Sequence, residues 1–274
     1  MAVVKNIGPI PQIGYGTWNR DGQAAYDGVK AALEIGYRHI DTAEGYNNEE
    51  FVGKAIVDSG IARRDIFLAT KVSPESFAPG QIMSHVEVSL EKLQTPQVDM
   101  LYLHYPAIDD EYDIEDYMAQ FAEVYDKGLT KNLAVSNFTI RHMQRAKELL
   151  GERQLVTNQV EIHPFMQNKP IVEYCKSLGV PMTAYSPLAR GAVSGDSTLQ
   201  EIAKTQDASA AQIALAFLMQ EGHVVIPSAG SYERIKENFD AKDINLSDAD
   251  MMKIRAFEKN MRLVDGPWCP KWDV

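Results

Sequence analysis

The sequence predicts an α/β chain folded as a single (β/α)8 (TIM) barrel over residues 1–274, with an additional C-terminal helix and tail. Three observations predict it. Short, β-rich apolar runs alternate with longer amphipathic segments from end to end, which is the pattern of a parallel sheet with crossover helices. Eight such pairs fit within 274 residues, and barrels of this kind typically run to about 250 residues. Ionisable residues close three successive apolar runs, and in a barrel every strand end opens onto the one face where catalytic groups collect.

The strand candidates are 12–17, 37–41, 66–71, 98–104, 132–135, 156–161, 181–186 and 224–227. Between the first two, Tyr26, Val29 and Leu33 share one helical face, and Gly36 suits the left-handed conformation beyond a helix end. Val86, Leu90 and Leu93 repeat this spacing, with Pro96 beyond. Ser209-Ala210-Ala211-Gln212 and Ser247-Asp248-Ala249-Asp250 read as capping boxes, the second opening the additional helix. Pro and Gly are spread along the chain rather than gathered in a linker, so one domain is expected. A doubly wound sheet is the competing architecture, because Gly14-Tyr15-Gly16-Thr17-Trp18-Asn19 resembles a dinucleotide fingerprint. Asn19 stands where that fingerprint has its third glycine, and no helix opens until after Asp21.

Composition narrows the function classes. Hydrophobic residues at 45% and charged residues at 24% suit a large buried core and argue against disorder. A net charge of −11 opposes binding to nucleic acid or anionic lipid. No apolar run approaches the roughly 18 residues of a membrane span, and Met1-Ala2-Val3-Val4-Lys5-Asn6 lacks the layout of a secretory signal, so a cytoplasmic protein is expected. Cys175 and Cys269 are too few for a disulfide framework and are expected as reduced thiols. His39, His85, His104, His142, His163 and His223 show no paired ligand spacing, so no metal is expected, and Glu161 near His163 reads as structural.

Asp41 ends the second run, Lys71 the third and His104 the fourth, while Tyr46 follows Asp41 in a glycine-containing loop. Singly, these are a turn cap, a solvated lysine, a core histidine and a packing ring. Jointly they converge at the barrel mouth and suit carbonyl reduction, in which hydride arriving at carbon leaves an alkoxide that must take a proton from a nearby acid. Tyr46 supplies the acid, Lys71 is expected to lower the phenol's pKa, and Asp41 keeps Lys71 charged. Neutral His104 gives the carbonyl oxygen a second donor.

The segments Gly14-Tyr15-Gly16-Thr17-Trp18, His39-Ile40-Asp41-Thr42-Ala43, Ala69-Thr70-Lys71 and Val135-Ser136-Asn137-Phe138 resemble the aldo-keto reductases, and the likeness covers essentially the whole chain. Within that superfamily the layout, including the tail at 268–272, resembles bacterial 2,5-diketo-D-gluconate reductases of the B type, which are similar to methylglyoxal reductases. The resemblance implies a monomer with Asp41, Tyr46, Lys71 and His104 as catalytic residues, Tyr46 as proton donor and a nicotinamide cofactor as hydride source. It implies that Ser136, Asn137 and Gln159 hold the nicotinamide carboxamide and that Tyr185 stacks on the ring. Gly16, Thr17, Trp18, Asp41, Ser186, Pro187 and Leu188 would line the same cofactor. Ile226, Pro227, Ser228, Arg234, Glu237 and Asn238 would meet its adenosine end, where a helix start with cations suits phosphate.

Two departures matter. Ser228 stands where many members carry a lysine for the 2′-phosphate, and Tyr232 replaces a frequent proline, although Arg234 remains as a fork-shaped donor. NADPH is therefore favoured, with NADH use left open. The substrate pocket is expected from Trp18, Tyr46, His104 and Tyr105, and Tyr105 in place of a frequent tryptophan suits short oxygenated aldehydes and ketones. A strand-end lysine also suits Schiff-base chemistry, and a poorly turning nucleotide sensor would keep the same fold. Both alternatives stay open at the level of sequence.

Overall fold

The computed structural model describes residues 4–273, so residues 1–3 and 274 of the expected domain lie outside the described residues. Eight strands pair in chain order, all parallel: β3 (Tyr15–Gly16), β4 (His39–Asp41), β5 (Phe67–Val72), β6 (Met100–Leu103), β7 (Leu133–Ser136), β8 (Leu155–Glu161), β9 (Met182–Tyr185) and β10 (Val224–Val225). A parallel bridge between Ile13 and Val225 closes the ring. There Gly14 N donates to Val225 O at 2.9 Å and Gly16 N to Pro227 O at 3.1 Å. The seam explains why the first and last strands are shorter than 12–17 and 224–227: single backbone hydrogen bonds replace a continuous ladder.

Ahead of the barrel, β1 (Asn6–Ile7) and β2 (Ile10–Pro11) form an antiparallel hairpin. Ile10 packs there with Ala69, Met100, Tyr102, Ala134 and Val224 to plug one end of the barrel. The hairpin was not among the strand candidates, because two-residue strands carry no readable periodicity.

The outer layer is α1 (Gly22–Ile35), α2 (Glu49–Asp58), α3 (Gln81–Lys92), α4 (Ile114–Asp126), α5 (Ile140–Leu150), α6 (Lys169–Ser177), α7 (Ser197–Thr205), α8 (Ala210–Gln220), α9 (Tyr232–Asp240) and α10 (Asp248–Arg255). In α1 the buried face is Ala25, Gly28, Val29, Ala32 and Leu33, whereas Tyr26 is half-buried and donates to Asp58 at 2.8 Å. Gly28 allows the closest approach: a Cβ there would lie 2.2 Å from the Tyr15 hydroxyl, which donates to Ala229 O at 2.8 Å across the barrel seam.

Two helices, α7 and α8, fill the crossover from β9 to β10, a departure from one helix per strand. The Ser209 box is complete, with Ser209 Oγ accepting from Gln212 N at 3.2 Å and Gln212 Oε1 from Ser209 N at 3.0 Å. The Ser247 box is only half of one. Asp250 N donates to Ser247 Oγ at 3.2 Å, but the Asp250 carboxylate takes the Ser247 hydroxyl instead of its backbone N–H. Beyond α10 the tail returns across the barrel mouth, with Lys259 N and Met261 N both donating to Phe165 O at 3.1 Å.

Burial pushes the imidazoles of His39, His104 and His223 below their ordinary value of 6.5, His223 to about 4. Below pH 6.5 the unfolded chain therefore binds protons that the folded chain refuses, so stability falls as pH falls. For His223 the window runs from 6.5 down to about 4, worth at most about 3.5 kcal/mol at roughly 1.4 kcal/mol per unit. Urea midpoints should drop between pH 7 and pH 5, and His223→Gln should show a shallower drop. An equal slope in that variant would remove His223 from the account.

Candidate active site

The parallel register brings distant residues to one end of the barrel. Asp41 is the last residue of β4, Lys71 the penultimate residue of β5, and His104 follows β6 directly. Lys71 pairs with Tyr102 and Asp41 with Ala69 across the ladder. The side chains of Lys71 and Asp41 are 0% and 2% exposed, with Nζ 2.5 Å from Oδ1. Nζ also donates to Thr42 O at 2.9 Å and to the Tyr46 hydroxyl at 3.3 Å. An ammonium has three N–H donors, and all three are therefore engaged. The second Asp41 oxygen accepts from Gln159 Nε2 at 2.9 Å.

Tyr46 is delivered by a single helical turn, Glu44–Tyr46. Glu44 anchors that turn, accepting from Ser73 N at 2.6 Å and Ser76 Oγ at 3.0 Å through one oxygen and meeting His85 Nδ1 at 2.8 Å through the other. The Tyr46 and His104 rings meet edge to face, with centroids 5.5 Å apart. His104 is fixed through its backbone, N donating to Val72 O at 2.9 Å and O accepting from Asn137 Nδ2 at 3.0 Å.

Burial pulls the Lys71 ammonium below its ordinary pKa, and Asp41 opposes that shift. Burial first, and the Asp41 charge second, push the Tyr46 phenol well above its ordinary value. This corrects the expectation that Lys71 lowers it, because the charge of Lys71 is already countered by Asp41 at 2.5 Å. The phenol therefore holds its proton at neutral pH. Burial, followed by repulsion from Lys71, depresses His104 well below 6.5, so its ring is neutral.

Asp41, Tyr46 and His104 form the floor of a cleft of about 1360 Å³, and Lys71 is buried behind them. Its walls include Gly16, Trp18, Tyr105, Ser136, Asn137, Gln159, Tyr185, Ser186, Pro187, Leu188, Ile226, Pro227, Ser228, Arg234, Glu237 and Asn238, all of them expected from the sequence. Thr17 is the exception, fully buried beneath the wall with its backbone N donating to Asp41 O at 3.0 Å. Tyr185 donates to Asn137 Oδ1 at 3.0 Å, Asn137 Nδ2 to Ser136 Oγ at 3.1 Å, and Ser136 Oγ to Gln159 O at 2.8 Å. The chain of bonds holds Asn137 in a left-handed conformation at φ 60°, a strained backbone that surrounding contacts must maintain. At Gly16 a Cβ would stand 2.8 Å from Ile226 O, so any larger residue would collide with the opposite side of the seam.

Comparison with known proteins agrees with this layout. Residues 12–259 match the Aldo/keto reductase family. The chain belongs to that family. It is 37% identical to methylglyoxal reductase DkgB of Escherichia coli O157:H7 over 96% of this chain and 99% of that one. It is 37% identical to glyoxal reductase of Bacillus subtilis (strain 168), over 94% and 92% of the two chains. A crystal structure provisionally assigned as a 2,5-diketo-D-gluconic acid reductase B superposes with a TM-score of 0.93 at 34% identity, covering 97% of this chain and 94% of that one. The protein is an oxidoreductase acting on carbonyl groups, in a family that uses nicotinamide cofactors.

The chemistry of this reductase's cleft fits such a cofactor. At the floor an aromatic ring, Tyr185, stands beside the amides and hydroxyl of Asn137, Gln159 and Ser136, which suit a flat carboxamide-bearing ring. At the far end Arg234 sits in the first turn of α9, capped by Ser231 Oγ. A helix start with a guanidinium suits phosphate.

Several residues of the reductase's site carried no sequence signal. Arg20, Arg190 and Val264 line the cleft from loops and the tail, where no periodicity marks them. Arg190 lies 5.5 Å over the Trp18 ring, spanning the cleft mouth. Glu161 and His163 are structural, as expected: they pair at 2.9 Å, and Glu161 also accepts from Leu263 N at 2.8 Å and Val264 N at 2.9 Å, anchoring the tail. Trp268 reaches the cleft, whereas Trp272 packs under Arg262 at 4.1 Å and donates to Asp265. Cys175 is buried and Cys269 half-buried, both free. Among the described residues no group of three His, Cys, Asp or Glu could hold a metal, and no helix is long and apolar enough to cross a membrane.

Proposed function

We propose that the protein reduces short, oxygen-rich aldehydes, ketones and dicarbonyls of the methylglyoxal type with NADPH, and that Tyr46 is the general acid. The observation carrying this reading is the full engagement of the Lys71 ammonium, buried behind the cleft floor, by Asp41, Thr42 O and the Tyr46 hydroxyl. The names of the relatives, methylglyoxal and glyoxal reductases, support the dicarbonyl class.

A nicotinamide cofactor held against Tyr185, Ser136, Asn137 and Gln159 would supply hydride to the carbonyl carbon. Negative charge then gathers on the carbonyl oxygen, and two donors receive it: the Tyr46 hydroxyl and an N–H of neutral His104. Tyr46 passes its proton to that oxygen, giving the alcohol. The phenolate left behind faces Lys71 Nζ at 3.3 Å, and Asp41 keeps that cation in place. The reaction thus converts a buried phenol into an anion only when a cation already stands beside it. Schiff-base chemistry is disfavoured, because Lys71 is 0% exposed and its N–H groups are spent.

Loss of NADPH absorbance on adding methylglyoxal should reveal turnover, with kcat/KM greater for short dicarbonyls than for bulky aromatic aldehydes. Absence of turnover across a broad carbonyl panel with both NADPH and NADH would overturn the reading. Borohydride treatment with substrate should leave Lys71 unmodified.

A further inference from the structure

Arg20 takes no part in the proton transfer, yet it stands on the cleft wall beside Ser228, a position where the family resemblance leads one to expect a lysine. Its Nε donates to Ser228 Oγ at 3.2 Å, and its Nη1 lies 2.7 Å from where a Cβ on Gly230 would be. A short residue at 228 and a glycine at 230 together leave room for this guanidinium. Its backbone is held as firmly. Arg20 N donates to Thr17 O at 3.2 Å, and Arg20 O accepts at 2.8 Å from Asn48 Nδ2. Asn48 is buried, bonds Thr17 O at 3.0 Å as well, and is itself held by the Thr42 hydroxyl at 2.9 Å.

Among the described residues no carboxylate pairs with the charge of Arg20, and Arg190 and Arg234 likewise have none within 4.0 Å. Elsewhere Arg63 pairs with Asp99, Arg153 with Asp126 and Arg255 with Glu221. In a chain of net charge −11, three unpaired guanidiniums facing one cleft call for an anion from outside.

We propose that Arg20 is a specificity-determining residue for the cofactor, and that its guanidinium takes the 2′-phosphate of NADPH at the lip where Ser228 offers no cation. The inference rests on the nicotinamide-cofactor reading given above. Nε is spent on Ser228 Oγ, which orients the planar group and leaves both Nη nitrogens for a phosphate. The distinguishing feature of NADPH is thereby read by a residue 208 positions away from Ser228 in sequence.

Dissociation constants of NADPH, NADH, 2′,5′-ADP and 5′-AMP, measured by calorimetry, test this in wild type, Arg20→Gln and the double variant Arg20→Gln/Ser228→Lys. Arg20→Gln should weaken NADPH and 2′,5′-ADP by about ten- to a hundred-fold, as expected for losing a charge-assisted hydrogen bond. NADH and 5′-AMP should be held as in wild type, and Ser228→Lys in the double variant should restore NADPH. Equal weakening of NADPH and NADH, or no weakening of either, would overturn the assignment. Wild type that binds neither dinucleotide would instead overturn the cofactor reading on which it rests.

Discussion

Replacing Tyr46 with phenylalanine is expected to lower kcat for carbonyl reduction by about 10²- to 10⁴-fold, the usual contribution of a positioned general acid, while NADPH binding is retained. The change removes one oxygen and little else. The ring keeps its edge-to-face contact with His104, and Lys71 keeps Asp41 and Thr42 O as acceptors, so the barrel floor stays assembled. What disappears is the only hydroxyl bonded to the Lys71 ammonium among the described residues, and with it the proton proposed to quench the alkoxide. Because burial and Asp41 hold the phenol's pKa well above its ordinary 10, the acid form persists throughout the neutral range. Loss of the phenol proton should therefore cause no fall in wild-type reduction rate between pH 6 and 8. Steady-state assays alongside a cofactor titration separate chemistry from binding. Full activity in the phenylalanine variant would refute the acid assignment.

Asp41→Asn is expected to destabilise the fold by about 3–5 kcal/mol at pH 7, the usual cost of breaking a buried ion pair by removing one partner. Nζ and Oδ1 are 2.5 Å apart with both side chains out of solvent, so the amide leaves an ammonium buried without a counter-ion. Burial already draws the Lys71 pKa below its ordinary 10.5, and without Asp41 nothing of comparable strength opposes it. In the variant the folded chain then gives up a proton that the unfolded chain keeps up to about pH 10.5, so stability rises with pH over that window. The deficit measured by urea unfolding should shrink on going from pH 7 to pH 9. Asp41→Asn/Lys71→Met should recover much of the loss, since neither charge remains. A single variant as stable as wild type at pH 7 would show that the pair carries little of the fold's stability. Turnover should collapse in both variants, because the single variant no longer stabilises the Lys71 charge beside the phenolate and the double variant has no cation there.

The barrel was legible because its strands are buried on both faces and its helices on one, and these two patterns survive in a linear string. The hairpin of β1 and β2 escaped because it is too short to have a period. Helix α7 escaped because the strand-helix alternation supplies one helix per crossover and gives no cue for two. On the site, Asp41, Lys71 and His104 were readable as ionisable closures of apolar runs, and Tyr46 through its place after Asp41. The adenosine-end and ring-holding residues rested on resemblance, and all but Thr17 stand on the cleft wall. Glu44, which anchors the Tyr46 turn, gave no signal, since its partners Ser73, Ser76 and His85 come from the next βα unit.

Residue order by itself determined the alternation of strands and helices, and therefore which ionisable groups reach the one open face. Only the tertiary structure decided the direction of the Tyr46 shift, the meeting of Arg20 with Ser228 across the barrel seam, and the capture of the tail by Glu161. Periodicity is a local property that each segment carries alone. Desolvation and charge pairing are sums over neighbours from many segments, and those neighbours exist only once the ring has closed.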